Sequence, residues 1–191
     1  MQVIKHIRTL HDGWGRFIIA TVTSRDGVEL TRQIEDHGAA AAVLPYDPAR
    51  GTVTLVRQPR IGPLFLGDEA LLLETPAGLT DGEDPAEAAR REVFEETGIR
   101  LGKLEPVGAF WPMPGCATER VHCFLASCGE ADKIGDGGGV AHEHEDIEVV
   151  ELAVADACAM ARDGRITDMK TTLLLQALQL RYPELLAGPV S

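Results

Sequence analysis

Asp84-Pro85-Ala86-Glu87-Ala88-Ala89-Arg90-Arg91-Glu92-Val93-Phe94-Glu95-Glu96-Thr97-Gly98 is the stretch that decides the fold. Asp84 suits an N-cap, Pro85 the first helical position, and Glu87 the third residue of a capping box. Gly98 supplies a left-handed stop. Ala86, Ala89 and Val93 recur at helical spacing and give one weakly apolar face. On the other side Glu92, Glu95 and Glu96 share an arc about 100° wide. Like charges so placed repel, so this arrangement adds nothing to helix stability. Arg91 stands four residues after Glu87 and four before Glu95, where it can pin both. Pro76-Ala77-Gly78 and Glu83 precede the helix and bring a free carbonyl and a fourth carboxylate near it. Converging hard oxygen ligands suit a hard divalent cation such as Mg²⁺, bound together with a substrate phosphate. A solvated acidic face is the alternative.

Upstream, Arg16–Thr23 is rich in β-formers, Arg25-Asp26-Gly27 reads as a hairpin turn, and Val28–Ile34 alternates. Residues 1–37 therefore read as an antiparallel β arm, too small to bury both faces alone. It must pack on the main domain, residues 38–191, or on another chain. Strands are expected at Ala39–Leu44, Thr52–Gln58 and Glu69–Thr75, with a turn at Pro45–Pro48. After the helix come strands at Glu105–Trp111 and Arg120–Ala126, a strand at Ile147–Leu152, and helices at Val154–Arg162 and Asp168–Arg181. Strands, one central helix, strands and two closing helices make an α+β sandwich.

The 191 residues carry a formal net charge of −12, with 45% hydrophobic and 25% charged residues. A soluble globular chain fits that composition. So acidic a surface argues against nucleic acid or an anionic membrane as partner. No window approaches 18 uninterrupted apolar residues and the N-terminus lacks a signal-peptide core, so a cytoplasmic protein is expected. The four cysteines show no metal or disulfide spacing, and Cys116 has no histidine pattern to make it a nucleophile. Gly135–Gly139 matches no nucleotide-binding pattern and reads as a flexible hinge. His142 and His144 are weak evidence for zinc.

Gly78, then Glu83, then Arg91-Glu92-Val93-Phe94-Glu95-Glu96-Thr97-Gly98-Ile99 resembles the signature of the Nudix hydrolases. The loop from glycine to first glutamate is one residue shorter than usual, as in the GDP-mannose pyrophosphatase branch. The resemblance implies an α/β/α sandwich around a mixed sheet. It implies Mg²⁺-dependent hydrolysis (Mn²⁺ as a substitute) of a nucleoside diphosphate sugar, a GDP-mannose-like substrate being favoured over ADP-ribose. Glu92, Glu95, Glu96 and the Ala77 carbonyl would then hold metal. Arg57-Gln58-Pro59-Arg60 is similar to a segment lining the substrate pocket in that branch, which assigns Arg57 and Arg60 to phosphate or sugar. Trp111–Glu119 is similar to its substrate loop and assigns Gly115 and Glu119 to the ligand. The run His142–Val149 looks like the acidic loop that carries the base, with Glu143 as base and Glu145 as an added metal ligand, or the reverse. Relatives of this kind pair their arms as intertwined homodimers. A lapsed, purely binding module is the reading from another class, and it sits poorly with a signature that keeps all its glutamates.

Overall fold

A computed structural model describes residues 2–139 and 146–187. Strands β1 (Val3–Asp12), β2 (Arg16–Thr23) and β3 (Glu29–Asp36) form a separate antiparallel sheet with β2 in the middle. The hairpin turn sits where Gly27 adopts φ +84°, a conformation glycine enters freely. Strand β2 alternates, burying Ile18, Ala20 and Val22, whereas β1 is exposed along all ten residues.

The second sheet has the order β10-β5-β4-β9-β8, with β4 (Ala39–Asp47), β5 (Thr52–Pro59), β8 (Glu105–Phe110), β9 (Arg120–Ser127) and β10 (Glu148–Ala153). Strands β4 and β9 run parallel and the other neighbours antiparallel, so the sheet is mixed. Successive side chains of a strand point to opposite faces, and β4 is buried on both. Ala40, Ala42, Leu44 and Tyr46 join a core with α3 (Val154–Arg162) and α4 (Met169–Arg181). Ala41 and Val43 join the other core, against α2 (Pro85–Thr97). That is the expected α/β/α sandwich, and small residues on β4 let α2 lie close. Ala88, not Ala86, packs there with Ala89 and Val93.

The sheet is forked. Strands β4 and β5 pair only at Tyr46–Val53 and Asp47–Thr52. Beyond that β6 (Leu71–Glu74) takes the edge of β5 and β7 (Ala77–Leu79) the edge of β4. The expected turn at Pro45–Pro48 starts later, because β4 runs on to Asp47. Pro45 is tolerated inside it because the β5 side of β4 has no paired strand at that position. A six-residue helix α1 (Ile61–Leu66) was not foreseen. It is too short for a helical period and ends at Gly67 in the left-handed conformation.

Candidate active site

Helix α2 is built as its residues dictate. Asp84 accepts from the backbone N–H of Ala86 (2.9 Å) and Glu87 (3.4 Å), and Gly98 stops the helix at φ +73°. Glu87 does not fold back on the cap; it pairs with Arg90 Nη1 at 2.7 Å. Arg91 instead gathers the loop and the helix together. Its Nε lies 3.3 Å from Glu83, its Nη1 is 2.8 Å from Glu92 and 3.1 Å from Glu95, and its Nη2 donates to the Leu79 carbonyl at 3.3 Å. Partial burial on its own would weaken the guanidinium's hold on its proton, but the surrounding carboxylates more than offset this and strengthen it. Glu96, one turn on from Glu92, is only 3% exposed. Gly78 sits so close to Glu92 that an added Cβ would come within 2.1 Å of the carboxyl carbon. Any larger residue there would push Glu92 off the loop.

A second charged group fills the fork. Glu74, 2% exposed, accepts from Arg60 Nε (2.7 Å) and Nη2 (2.9 Å), and from Lys170. Lys170 also donates to Asp168 at 3.0 Å. Asp168 is the N-cap of α4, accepting from Thr171 N at 2.9 Å, and Thr171 Oγ1 in turn accepts from Thr75 N at 2.7 Å. Burial pushes the Glu74 carboxyl up, but the bidentate Arg60 and the Lys170 charge outweigh it and hold the group below its ordinary 4.5. Arg60 is stabilised as a cation chiefly by Glu74, and the charges of Glu96 and Asp168 add to this. The two charged groups are therefore in electrostatic reach of one another.

Beside the second group, and reaching the Ala77–Leu79 loop, opens a cavity of about 430 Å³, lined among others by Arg60, Ala77, Glu119, Lys170, Trp111 and the arm's Trp14. Its mouth is held by the arm. Glu35 N donates to Cys116 O (2.7 Å), Thr118 N donates to Glu35 O (2.9 Å), and Thr118 Oγ1 donates to Asp36 at 2.5 Å. Loop Trp111–Glu119 is thereby sewn to β3. Arg120 lies over the Trp111 ring at 5.9 Å.

Of the residues singled out from sequence, Glu92 and Glu95 meet at Arg91, Glu96 lies buried one turn on from Glu92, and Ala77, Arg60 and Glu119 line the adjoining cavity. Arg57 lies away from it, paired with Glu148 at 2.7 Å across β5 and β10. Gly115 lines a neighbouring groove of about 320 Å³ between the arm and the loop. Glu143 and Glu145, with His142 and His144, lie outside the described residues. Glu74, Asp168, Lys170, Trp14 and Trp111 are additions. Glu74 left one trace in the sequence, a lone acid at the end of Leu71-Leu72-Leu73.

Among the described residues no three His, Cys, Asp or Glu side chains form a ready cation cage, and Arg91 takes the centre of the Glu83, Glu92 and Glu95 group. The donor set nevertheless fits a hard cation. Its donors are all oxygen, its negative charge exceeds the positive, and the glycine at position 78 leaves Glu92 room against the loop.

Residues 36–170 match the model of the NUDIX domain. The chain belongs to the Nudix family. It is 41% identical over 169 residues to a GDP-mannose pyrophosphatase of Cronobacter sakazakii, covering 87% of each chain. To a GDP-mannose pyrophosphatase of Pectobacterium atrosepticum it is 45% identical over 155 residues, 81% of this chain and 79% of the relative. Its fold is that of a crystal structure of an ADP compounds hydrolase, with a TM-score of 0.72 and 19% identity over 95% and 96% of the two chains. Nudix hydrolases use divalent metal ions. No helix among the described residues is long and apolar enough to cross a membrane.

Proposed function

We propose that this Nudix hydrolase cleaves the diphosphate bond of a nucleoside diphosphate sugar, GDP-mannose being the favoured substrate, to give a nucleoside monophosphate and a sugar phosphate. The observation that carries this reading is the adjacency of an acid-rich helix, α2, which packs against Gly78, to a cavity lined by Gly78 itself, two cations and two tryptophans. Relatives named GDP-mannose pyrophosphatase at about 40% identity supply the substrate class. Mg²⁺, when bound, withdraws charge from the phosphates and makes the attacking water more acidic. Glu92, Glu95, Glu96 and the Ala77 carbonyl would hold it. Arg91 keeps Glu92 and Glu95 aligned until it is bound.

Arg60 and Lys170 face the phosphates, held in place by Glu74 and Asp168 and so positioned without further reorganisation. Trp14 and Trp111 offer ring faces to the base, and Glu119 accepts from a substrate hydroxyl. Water oxygen adds to one phosphorus, the bridging P–O bond breaks with its electrons going to the departing phosphate, and the water proton passes to a carboxylate. On the resemblance alone that base is Glu143, with Glu145 as a further metal ligand.

The protein acts in the cytoplasm as a homodimer. Exposed Val3, Ile4, Ile7 and Leu10 on β1 form an apolar edge that a second arm would cover. The test is a panel of nucleotide sugars with Mg²⁺ and identification of both products. GDP-mannose should yield GMP and mannose 1-phosphate with the highest kcat/KM. A higher kcat/KM on ADP-ribose, yielding AMP and ribose 5-phosphate, would move the assignment to that substrate. Absence of Mg²⁺-dependent nucleoside monophosphate from every member would remove it.

A further inference from the structure

Glu95 and Glu96 occupy the last turn of α2, which ends at Thr97 and has no basic residue in that turn. This is an unfavourable place for carboxylates. The last carbonyls of a helix lack intrahelical donors, and the macrodipole puts partial negative charge there. Two glutamates add to that charge and favour fraying of the turn that holds them. Something else must fix it.

The backbone around Gly135–Gly139 does so. Gly138 N donates to the Glu96 carbonyl at 2.8 Å and Gly139 N to the Glu95 carbonyl at 3.1 Å. Ile134 N and Gly135 N both donate to the Gly98 carbonyl, at 3.0 and 3.1 Å, and Arg100 N donates to Asp132 O at 2.9 Å. Of these donors, Gly138 N and Gly139 N meet carbonyls that the helix itself leaves open. The approach is too close for side chains. A Cβ on Gly98 would lie 2.1 Å from Gly135 O, and one on Gly137 would lie 2.6 Å from Glu96 O. Gly137, Gly138 and Gly139 also hold φ values of +71°, +97° and +80°, which disfavour other residues. Their composition suggests a hinge; the structure instead anchors them to the acidic end of α2.

We infer that Gly137–Gly139 is a positioning clamp, which sets cation affinity at the site by fixing the backbone of Glu95 and Glu96. This rests on the metal role proposed for those glutamates. Its N–H groups supply the positive partial charge that the helix end lacks, and so hold both carboxylates in place before a cation arrives.

The test is direct Mn²⁺ binding to the substrate-free protein, read from the electron paramagnetic resonance of free Mn²⁺, together with the Mg²⁺ concentration for half-maximal rate. Two variants are compared with the parent: Gly137→Ala, whose Cβ strikes Glu96 O, and Gly138→Ala, whose Cβ meets nothing closer than Ile147 O at 3.8 Å. Both should bind Mn²⁺ roughly ten-fold more weakly, as loss of support behind a metal ligand typically does. The Mg²⁺ requirement should rise in parallel, and kcat at saturating Mg²⁺ should fall much less. Folded variants that bind Mn²⁺ like the parent, even with a lowered Tm, overturn the clamp. So does loss of folding in both variants, which would make the segment scaffold only. A parent that binds no Mn²⁺ removes the metal reading and the clamp with it; a parent that binds it, matched by both variants, removes the clamp alone.

Discussion

Two groups of charged side chains lie at or near the cavity, and they are balanced differently. On the α2 side Glu83, Glu92 and Glu95 surround the single guanidinium of Arg91. At the fork Glu74 and Asp168 face Arg60 and Lys170, two charges against two. The second group is the more deeply set, and matching is what permits its burial, because an unpaired ion there would cost several kcal/mol. The first group keeps a surplus of negative charge, three carboxylates to one guanidinium. A fold gains nothing from such a surplus by itself, so it is better read as preparation for a cation from outside. Balanced charge holds the scaffold, and on the proposed function unbalanced charge awaits a ligand.

The sharpest way to break that contrast is to neutralise one glutamate on α2 and one at the fork. Glu96→Gln should lower turnover by roughly 10²-fold or more, since a direct ligand matters at least as much as the groups that support one. Its apo form should be as stable as the parent or slightly more so, because like-charge crowding on α2 is relieved. Steady-state kinetics at low Mg²⁺ and urea denaturation read the two effects separately. Near-parental turnover would end the metal assignment for this helix.

Glu74→Gln should do the reverse, with stability as its first casualty. Removing a charge that faces both Arg60 and Lys170 leaves two cations without their shared counterion, a change worth about 3 kcal/mol at buried pairs. The pH dependence gives a second reading. Glu74 titrates below its ordinary 4.5 in the folded protein, so its contribution is complete above the unfolded-state value. It is lost as pH falls through the folded one. The stability gap between parent and Glu74→Gln should therefore narrow on acidification below about 4.5 and stay constant above it. A gap that does not narrow would mean the Glu74 charge is not what holds the fork.

The two groups also differ in how plainly the sequence announces them. The α2 group is local: cap, proline, glutamate spacing and terminal glycine fall within one helix, and the sandwich follows from it and the strand order. The fork group draws Arg60, Glu74 and Lys170 from three elements that meet only because β4 and β5 part company after two paired positions. No spacing rule records that divergence. Helix α1 stayed hidden because six residues cannot display a period, and the Gly135–Gly139 contacts because they are made by backbone. Glycine composition suggests freedom, whereas here it permits close approach.

Arg57 gives the smallest expected effect and tests the boundary of the cavity. The sequence placed it beside Arg60 as a phosphate grip, but the two point to different partners three residues apart. Arg60 is bound to the buried Glu74, whereas Arg57 sits opposite Glu148 in the β5–β10 register, the Glu148 side chain 63% exposed and the Arg57 side chain 39%. Exposed pairs of this kind contribute about 0–1 kcal/mol and weaken with salt. Arg57→Ala should accordingly shift unfolding by less than about 1 kcal/mol. Lacking a place in the cavity lining, Arg57 can help substrate only as a nearby charge. KM should then rise no more than roughly three-fold, and the rise should shrink as ionic strength increases, because a Debye length of about 8 Å at physiological salt screens such a charge. A ten-fold or larger rise in KM that survives high salt, with stability unchanged, would show that Arg57 leaves Glu148 to contact phosphate directly. The cavity would then extend along β5, and the cations serving the substrate would number three rather than two.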